Sequence, residues 1–483
     1  MSSRTLLSRR NLFCAGAGIV SLRSRLRAQA AISSIEKLRN SLKGSLIVPT
    51  DPAYDAARRL ASFNPTTDKH PQLIVRCAEA GDAAIAMKFA REHELEAAVR
   101  SGGHDVLGAS VCDGMVIDLS PLKAIRIDPE HQLARVEPGA RSGELNAAGQ
   151  RYGLAAALGC HPGVGVGGLT LGGGLGWLLG KHGATCDNLT GAELVTSDGR
   201  MMRASEEENP DLFWALRGGG GNFGIVTALD FRLHPLDQVF GGVLVLRADV
   251  ARFLHFYGTF MQAAPDELAV EISVVPGEQP AIIAMACFSG DAAEGERVLK
   301  PLRSFGTRLA DWIDRVAYPR VTSRMSEVGS LLGWKQQASG PGFNYWRGGS
   351  LRELSDAAAG QIAAAIEHAP AGCSLGLGHY MHGQICRVAA DATPLIRTPG
   401  QVTYFINASW GEPKAADAKM EWVERTRTAM KPASSEGAYI NYLSEDSPAA
   451  VKASYGSNYD RLRQVKRRYD PSNFFHRNRN IRA

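Results

Sequence analysis

Two glycine-rich segments limit what this chain can fold into more than any other feature. Residues 100–105 read Arg-Ser-Gly-Gly-His-Asp, and half of residues 159–176 are glycine. Such runs also occur in plain loops, but each of these carries reactive side chains: the imidazole of His104 in the first, and the thiol of Cys160 with the imidazole of His161 in the second. Glycine lets backbone N–H groups approach a ligand closely, which suits a pyrophosphate. The two segments therefore predict a large dinucleotide that is held tightly or attached covalently.

Two later segments extend this pattern. Residues 209–227 read Asn-Pro-Asp-Leu-Phe-Trp-Ala-Leu-Arg, then four glycines, then Asn-Phe-Gly-Ile-Val-Thr. Apolar and aromatic residues flank the four glycines on both sides, which argues against a flexible linker. Near the C-terminus, residues 439–442 read Tyr-Ile-Asn-Tyr and residues 469–475 read Tyr-Asp-Pro-Ser-Asn-Phe-Phe. Over roughly residues 65–480 the chain resembles the berberine-bridge-enzyme-like branch of the flavin oxidases that share the vanillyl-alcohol-oxidase fold.

The resemblance implies FAD as the cofactor and His104 as its covalent anchor. In the family, the histidine of R-[ST]-G-G-H is bonded to the 8α-methyl of FAD, and the cysteine of C-x-x-V-G-x-G-G to C6. Here the Val-Gly pair at 164–165 puts that second position at His161, and Cys160 stands one residue early. Either the turn shifts and Cys160 still bonds the ring, or His104 alone holds the flavin while His161 lies near the pyrimidine edge or the substrate. The other implied cofactor contacts are Arg100, Ser101, Gly102, Gly103, Asp105, Val164, Gly165, Gly168, Gly172, Gly224, Ile225, Val226, Asn441 and Asn480.

Tyr439 and Tyr442 are the predicted catalytic bases, because family members often use a tyrosine of a Y-x-N-Y motif. Tyr439 is the first choice, and for Tyr442 core packing is an equal alternative. An unperturbed phenol titrates near pH ~10, so it needs a cationic or hydrogen-bonding neighbour to act as a base near neutrality. Arg347 lies near a position where the family often has lysine, and it is expected to supply that charge. Asn441 is expected to orient the flavin or the phenol.

Val164 occupies the position that resembles the family's oxygen gate. A valine there accompanies oxidases and a leucine accompanies dehydrogenases, although an ordinary core valine would look the same. No metal site is predicted, because the eight cysteines show no C-x-x-C spacing and His379 and His382 are not spaced as a metal pair. The family's F-x-H-R segment is absent after residues 387–393, so its substrate contacts are not carried over.

The N-terminal 30 residues are interpreted as a twin-arginine export signal. Ser-Arg-Arg-Asn-Leu-Phe at residues 8–13 precedes a short apolar stretch, and Ala-Gln-Ala at 28–30 suits cleavage. The apolar run is too short to span a bilayer, which needs ~20 residues. The signal holds six arginines and no acidic residue while the whole chain carries +5, so the mature chain carries −1. This charge gives no support for binding to nucleic acid or to an anionic membrane surface. No apolar run after the signal reaches the length that stable membrane insertion requires.

The expected fold is of the α+β class. About 450 mature residues exceed one hydrophobic core, so two domains are expected. The resemblance implies a two-lobed PCMH-type FAD-binding domain over 68–236 and a C-terminal segment over 433–483 that returns to it. Between them, residues 237–432 alternate strand-like and helical patterns, which predicts an inserted α+β substrate domain with an antiparallel sheet backed by helices. The basic residues 466–468 are expected on a solvated helix face.

The predicted function is that of an exported FAD-dependent oxidase. Its substrate, an alcohol, a sugar or a secondary metabolite, would give a hydride to flavin N5, and O2 would be reduced to H2O2. The expected partners are this small molecule, O2 and the twin-arginine export machinery, and the expected location is periplasmic or extracellular. The alternatives are a dehydrogenase of the same fold with another electron acceptor, and a flavin-holding binding protein without turnover. A nicotinamide enzyme is not supported, since no G-x-G-x-x-G after a strand has an acidic residue at the expected distance.

Overall fold

The structure, a computed structural model, describes residues 33–332 and 342–483. The predicted export signal at residues 1–30 lies outside the described residues. Within the described ranges, no helix combines the length and apolar character that a membrane crossing requires.

The first lobe is a small sheet in which three parallel strands are joined by one antiparallel strand. Its order is β1-β2-β4-β3, and only β1 is antiparallel to its neighbour. The strands form because short apolar runs are buried on both faces, against α3 on one side. Because β3 ends at Arg100, the first glycine-rich segment begins at the carboxyl end of a parallel strand. The elements are α1 (33–41), β1 (Ser45–Ile47), α2 (Tyr54–Arg58), β2 (Leu73–Arg76), α3 (Ala80–Glu92), β3 (Ala97–Arg100) and β4 (Met115–Asp118).

The second lobe is a five-stranded antiparallel sheet of order β5-β6-β10-β8-β9, with β7 and β11 forming a separate pair. Its core contains the aromatic residues of the segment that surrounds the four glycines, among them Phe213, Trp214 and Phe223. Burial of these rings explains why the four glycines do not behave as a linker. The elements are β5 (Ile125–Asp128), β6 (Leu133–Val136), α4 (Ser142–Gln150), β7 (Leu154–Ala155), α5 (Val166–Leu171), α6 (Leu179–His182), β8 (Leu189–Val195), β9 (Met201–Ser205), α7 (Pro210–Leu216), β10 (Ile225–Arg232) and β11 (His234–Pro235).

The third part is a large antiparallel sheet of order β15-β12-β14-β13-β18-β19-β17, with β16 paired to β12. Alternate residues of each strand point to opposite faces. One face forms an apolar core with α8, α9, α11 and α13, and the other faces the two lobes. The elements are β12 (Gln238–Arg247), α8 (Val250–Gln262), β13 (Leu268–Val275), β14 (Ala281–Phe288), α9 (Ala292–Arg303), β15 (Thr307–Asp311), β16 (Asp314–Ala317), α10 (Met325–Leu331), β17 (Phe343–Leu351), α11 (Asp356–Glu367), β18 (Cys373–Tyr380), α12 (Gln384–Arg387), β19 (Val402–Trp410) and α13 (Ala416–Met430).

The C-terminal segment returns to both lobes. Helices α14 (Pro448–Tyr455) and α15 (Tyr459–Tyr469) pack into the core of the second lobe, and Phe475 packs into the core of the first. Short 3-10 turns occur at Thr185–Asn188, Tyr318–Arg320, Pro413–Ala415, Lys431–Ala433 and Gly456–Asn458. The predicted α+β class, with a helix-backed antiparallel sheet next to a two-lobed domain, is confirmed.

The expectation that Lys466 lies on a solvated helix face is wrong. Its side chain is fully buried, and its Nζ donates to Asp470 Oδ2 at 2.7 Å, to the Asn222 carbonyl at 2.9 Å and to the Phe475 carbonyl at 3.0 Å. The amide of Asn222 in turn donates to the Arg479 carbonyl, and its oxygen accepts from the N–H of Ile481. Lys466 therefore ties the loop after the four glycines to the C-terminal segment.

We expect Lys466→Met to lower the free energy of unfolding by about 3 kcal/mol, because it leaves the buried Asp470 carboxylate without its cation. Urea unfolding of the purified protein measures the change. Arg467→Ala is the matched control, since Arg467 is exposed on the same helix and should change stability by less than about 0.5 kcal/mol. Equal midpoints for the two variants would contradict the role given to Lys466.

Candidate active site

The two glycine-rich segments meet backbone against backbone. A Cβ built on Gly102 would lie 2.4 Å from the Cα of Gly165, and one built on Gly165 would lie 2.5 Å from the Cα of Gly102. Ser101 Oγ also accepts a hydrogen bond from the N–H of Gly168 at 3.3 Å. Only glycine permits this approach. The contact places residues 100–105, the His104 loop, directly against the start of residues 163–176, the glycine track.

Gly165→Ala is expected to destabilise the protein by about 1–3 kcal/mol, because the added methyl group meets rigid backbone. The backbone of Gly165 has φ −70°, which alanine adopts freely, so any loss must come from the contact itself. A Cβ on Gly163 would meet nothing within 4 Å, which makes Gly163→Ala the matched control. The urea midpoints of the two variants provide the measurement, and a midpoint for Gly165→Ala equal to that of the control would refute the steric argument.

His104 is exposed at the mouth of this junction. Partial desolvation lowers the pKa of its imidazole, and the neighbouring His161 and Arg141 lower it further. The ring is therefore neutral at pH 7, with a free nitrogen lone pair. Gly103, with φ +66°, makes the turn before it, and the Asp105 carboxylate accepts the N–H groups of Leu107 and Ser110 after it. The loop thus holds a neutral imidazole in a defined position.

Arg100 stabilises the strand end from which this loop begins. Its Nη2 donates to Asp118 Oδ2 at 2.9 Å, and both side chains are buried. The pair links the ends of β3 and β4. Only the other terminal guanidinium nitrogen, Nη1, is left for the predicted contact with the cofactor, because it has no hydrogen-bond partner in the described residues.

Cys160 and His161 point in different directions. The thiol of Cys160 is buried 3.5 Å from Nε2 of His379, in contact with the Glu271 carboxylate, and burial raises its pKa well above the ordinary value. The imidazole of His161 is 53% exposed, with its Nε2 3.5 Å from Glu271 Oε1, and the bond to Glu271 raises its pKa. Of the two, His161 faces the same open side as His104.

Glu271 is a functional candidate that the sequence alone did not assign, and it lies beside His379. Both side chains are buried on the lobe-facing side of the large sheet. Burial acts to raise the pKa of the Glu271 carboxyl, but the hydrogen bonds from His161 and Cys160 and the nearby charges of His161 and His379 together outweigh it, so the net shift is downward. Burial lowers the pKa of His379 to about 4. A single carboxylate within the apolar strand β13 was the sequence signal that could have revealed Glu271.

Tyr439 sits over the glycine track. Its phenol oxygen accepts hydrogen bonds from the N–H of Gly174 and from the Asn441 amide, each at 2.9 Å. The same amide donates to the Leu169 carbonyl, and a Cβ on Gly172 would collide with Asn441. Burial raises the pKa of the Tyr439 phenol well above its ordinary value, against the two hydrogen bonds, which lower it. The predicted pairing of Tyr439 with Asn441 is thus present in the structure.

Tyr442 lies one turn further on, with its ring centroid 5.4 Å from that of Tyr439 and 4.9 Å from that of Trp346. The His379 ring lies 6.2 Å away. Burial, with the nearby Glu271 charge, raises the pKa of the Tyr442 phenol. Tyr442 therefore stands between Tyr439 and the buried cluster around Glu271.

Arg347 does not lie beside Tyr439 and Tyr442, where a positive charge was expected. Its Nε donates to Glu424 of α13 at 2.8 Å, and its guanidinium stacks 4.1 Å from the Tyr345 ring centroid. Strand alternation is the reason: Trp346 points toward Tyr442, so Arg347 points to the helix-covered face. In the described parts of the chain, the expected cation beside the two tyrosines is therefore not supplied by Arg347.

The remaining predicted contacts fall into two groups. Ile225 and Val226 are buried in β10 opposite β8, and a Cβ on Gly224 would collide with Leu194, so these residues can reach a cofactor only through the backbone. Val164 is half-buried beside the glycine track, and Asn480 carries a buried Oδ1 without a hydrogen-bond partner in the described residues.

These features fit an FAD molecule. The exposed imidazoles of His104 and His161 line one end of the junction, and nothing lies within 4 Å of a Cβ on Gly163 or Gly168. Unpartnered polar atoms of the C-terminal segment, including Asn480 Oδ1, supply further hydrogen-bonding capacity. The site therefore combines open glycine backbone, a neutral imidazole and polar groups that a dinucleotide can satisfy.

Comparison with known proteins agrees with this chemistry. The FAD binding domain family matches residues 71–205, and the berberine and berberine-like family matches residues 438–482. The uncharacterized FAD-linked oxidoreductase YgaK of Bacillus subtilis is 32% identical over 446 residues, which cover 90% of this chain and 96% of that protein. (R)-6-hydroxynicotine oxidase of Paenarthrobacter nicotinovorans is 30% identical over 465 residues, which cover 91% and 97%.

A solved structure gives the same result. The crystal structure of 6-hydroxy-D-nicotine oxidase from Arthrobacter nicotinovorans superposes with a TM-score of 0.81 at 29% sequence identity, and the match covers 91% of this chain and 98% of that one. The predictions of an FAD-binding domain and of an oxidoreductase are confirmed. The chain belongs to the berberine-bridge-enzyme-like family of FAD-linked oxidoreductases.

Proposed function

We propose that this protein is an exported oxidase that removes a hydride and a proton from an alcohol, a sugar or a secondary metabolite and passes the electrons to O2. The observation that carries the proposal is the meeting of three parts at one place: the His104 loop, the glycine track and the Tyr439–Asn441 pair. FAD held there supplies the hydride acceptor and the reaction with O2. The similarity to (R)-6-hydroxynicotine oxidase and to 6-hydroxy-D-nicotine oxidase supports O2 as the electron acceptor over other acceptors.

We further propose that FAD is attached through His104 alone. The exposed, neutral imidazole offers a nitrogen lone pair on the open side of the junction. The Cys160 thiol is buried and turned toward His379, and its raised pKa keeps it protonated, so it is a poor nucleophile. Both observations favour one covalent bond over two.

In the proposed reaction Tyr439 takes the proton from the substrate. The N–H of Gly174 and the Asn441 amide stabilise the phenolate and fix the oxygen in place. Trp346 and Tyr442 extend an aromatic surface from this point along the lobe-facing side of the sheet. Such a surface suits a substrate with an apolar or ring-shaped body and one polar reacting group.

The export proposal rests on residues 1–30. Twin-arginine export carries folded proteins, which suits a chain whose cofactor must be inserted before it crosses the membrane. We expect the double change Arg9→Lys and Arg10→Lys to retain the full-length protein, with its flavin, in the cytoplasmic fraction. Equal amounts of wild type and variant in the periplasmic or extracellular fraction would refute this route.

Oxygen consumption tests the oxidase proposal directly. Purified holoenzyme is mixed with a panel of sugars, amines and phenolic alcohols while O2 uptake, H2O2 and flavin absorbance are followed. The expected result is bleaching under argon with at least one substrate, then recovery of the yellow colour and stoichiometric H2O2 when air enters. Bleaching without O2 uptake would identify a dehydrogenase, and a flavin that no substrate class bleaches would identify a binding protein.

A further inference from the structure

We propose that Cys160, Glu271 and His379 bind one zinc ion. Cys160 comes from the loop before the glycine track, whereas Glu271 and His379 come from strands β13 and β18 of the large sheet. The metal would join the FAD-binding part of the chain to the substrate domain next to Tyr442. The sequence spacing does not reveal this site, because more than 100 residues separate Cys160 from Glu271 and Glu271 from His379 along the chain.

The distances suit tetrahedral coordination. One ligand atom each of Cys160, Glu271 and His379 lies within 4.8 Å of the other two. Zn–S bonds of about 2.3 Å and Zn–N bonds of about 2.0 Å at a tetrahedral angle put sulfur and nitrogen about 3.5 Å apart. The observed distance from Cys160 Sγ to His379 Nε2 is 3.5 Å.

The surroundings prepare the ligands for a cation. Cys160, Glu271 and His379 are 8%, 1% and 5% exposed, so water competes little for the site. Glu271 Oε2 is buried and has no hydrogen-bond partner in the described residues, which leaves a carboxylate lone pair unused. Nδ1 of His379 lies 3.3 Å from Thr403 Oγ1, which can accept the Nδ1 proton in the tautomer that has its lone pair on Nε2, toward Cys160.

Charge balance favours a divalent ion that accepts sulfur. On binding, the Cys160 thiol loses its proton to solvent, and the thiolate, the Glu271 carboxylate and the neutral His379 imidazole surround the 2+ charge, so the site becomes neutral. No electron is transferred. Sulfur with imidazole selects zinc over magnesium or calcium, which prefer sets made only of oxygen. Three protein ligands leave the fourth tetrahedral position to a water molecule, and the role of the ion is to hold the two domains together.

Metal content is the direct test. The full-length protein is produced in medium supplemented with ZnCl2, purified with its flavin, and analysed for zinc and flavin per chain. We expect one zinc per chain in the wild type and none in Cys160→Ser or Glu271→Gln. Cys287→Ala is the matched control, because Cys287 is buried in the same apolar cluster and is not one of the clustered ligands, and it should keep its zinc. Circular dichroism verifies that each variant folds.

The absorption spectrum of the cobalt-substituted protein distinguishes metal coordination from simple packing of the same side chains. Replacing zinc with CoCl2 should produce intense absorption bands in the red, where oxidised flavin does not absorb, together with a sulfur-to-cobalt band that Cys160→Ser removes. Weak bands typical of six-coordinate cobalt would overturn the proposal.

Two failures remain distinguishable. A yellow wild type with no more zinc than Cys160→Ser overturns the metal site and leaves the oxidase proposal intact. A mass that shows Cys160 bonded to FAD overturns it as well, because that sulfur cannot then serve as a thiolate ligand. A colourless protein that binds one zinc overturns the flavin proposal and supports the metal site.

Discussion

His104→Ala is expected to abolish covalent flavin attachment completely. The wild type, denatured in acid, should give a yellow pellet and an intact mass higher than that of the chain by one FAD. The variant should give a colourless pellet and the mass of the chain alone. The physical reason is that His104 is the exposed, neutral nucleophile at the junction of the two glycine segments.

Cys160→Ala is the paired variant for this experiment. Since the Cys160 thiol points into the buried cluster with Glu271 and His379, the variant should keep the full added mass. If each single variant kept the flavin and only the double variant lost it, two bonds would exist and attachment through His104 alone would be wrong. A colourless wild-type pellet with the mass of the chain alone would mean that FAD binds only reversibly.

The glycine motifs were predictable because their chemistry is local. A run of glycine around a histidine reports a backbone that must approach a ligand, whatever the rest of the chain does. The contact between Gly102 and Gly165 was not predictable, because it depends on how the end of β3 meets the start of α5. The strands of the substrate domain were likewise predictable from their apolar composition, which β13 and β14 show.

The prediction for Arg347 was wrong because it depended on which face of a strand the side chain occupies. Arg347 was expected to supply a charge in the active site, but it belongs to strand β17, whose alternation sends Trp346 toward Tyr442 and Arg347 toward Glu424. The face of the sheet that a strand residue occupies depends on the register of strand pairing, which composition does not reveal.

Lys466 and Glu271 show the same limit for charged residues. Charge usually indicates exposure, and it does so for Arg467 and Arg468. Lys466 is buried because one carboxylate and two carbonyls replace its water. Glu271 is buried because His161 and Cys160, which approach from another domain, contact its carboxylate. Partners so far away in sequence leave no trace in local spacing.

Tyr439→Phe is expected to lower kcat/KM by about 10³–10⁴-fold, within the range for loss of a general base. Phenylalanine keeps the ring that packs against Leu395 and removes only the oxygen held by Gly174 and Asn441. Flavin content and the unfolding midpoint should therefore change little. Tyr257→Phe is the control, because it removes a buried hydroxyl from the helix-covered core, far from the proposed chemistry.

The pH profile separates a base from a packing residue. The pKa of the Tyr439 phenol is raised above 10, and the titratable groups that face it, Tyr442 and the Cys186 thiol, are neutral near pH 7 and offer no cation. The phenolate fraction at pH 7 is therefore small and grows about tenfold with each pH unit. The kcat/KM of the wild type should rise with pH up to at least pH ~10, and that of Tyr439→Phe should not. A phenylalanine variant that keeps the rising profile would assign the proton to another group, with Tyr442→Phe the next variant to measure.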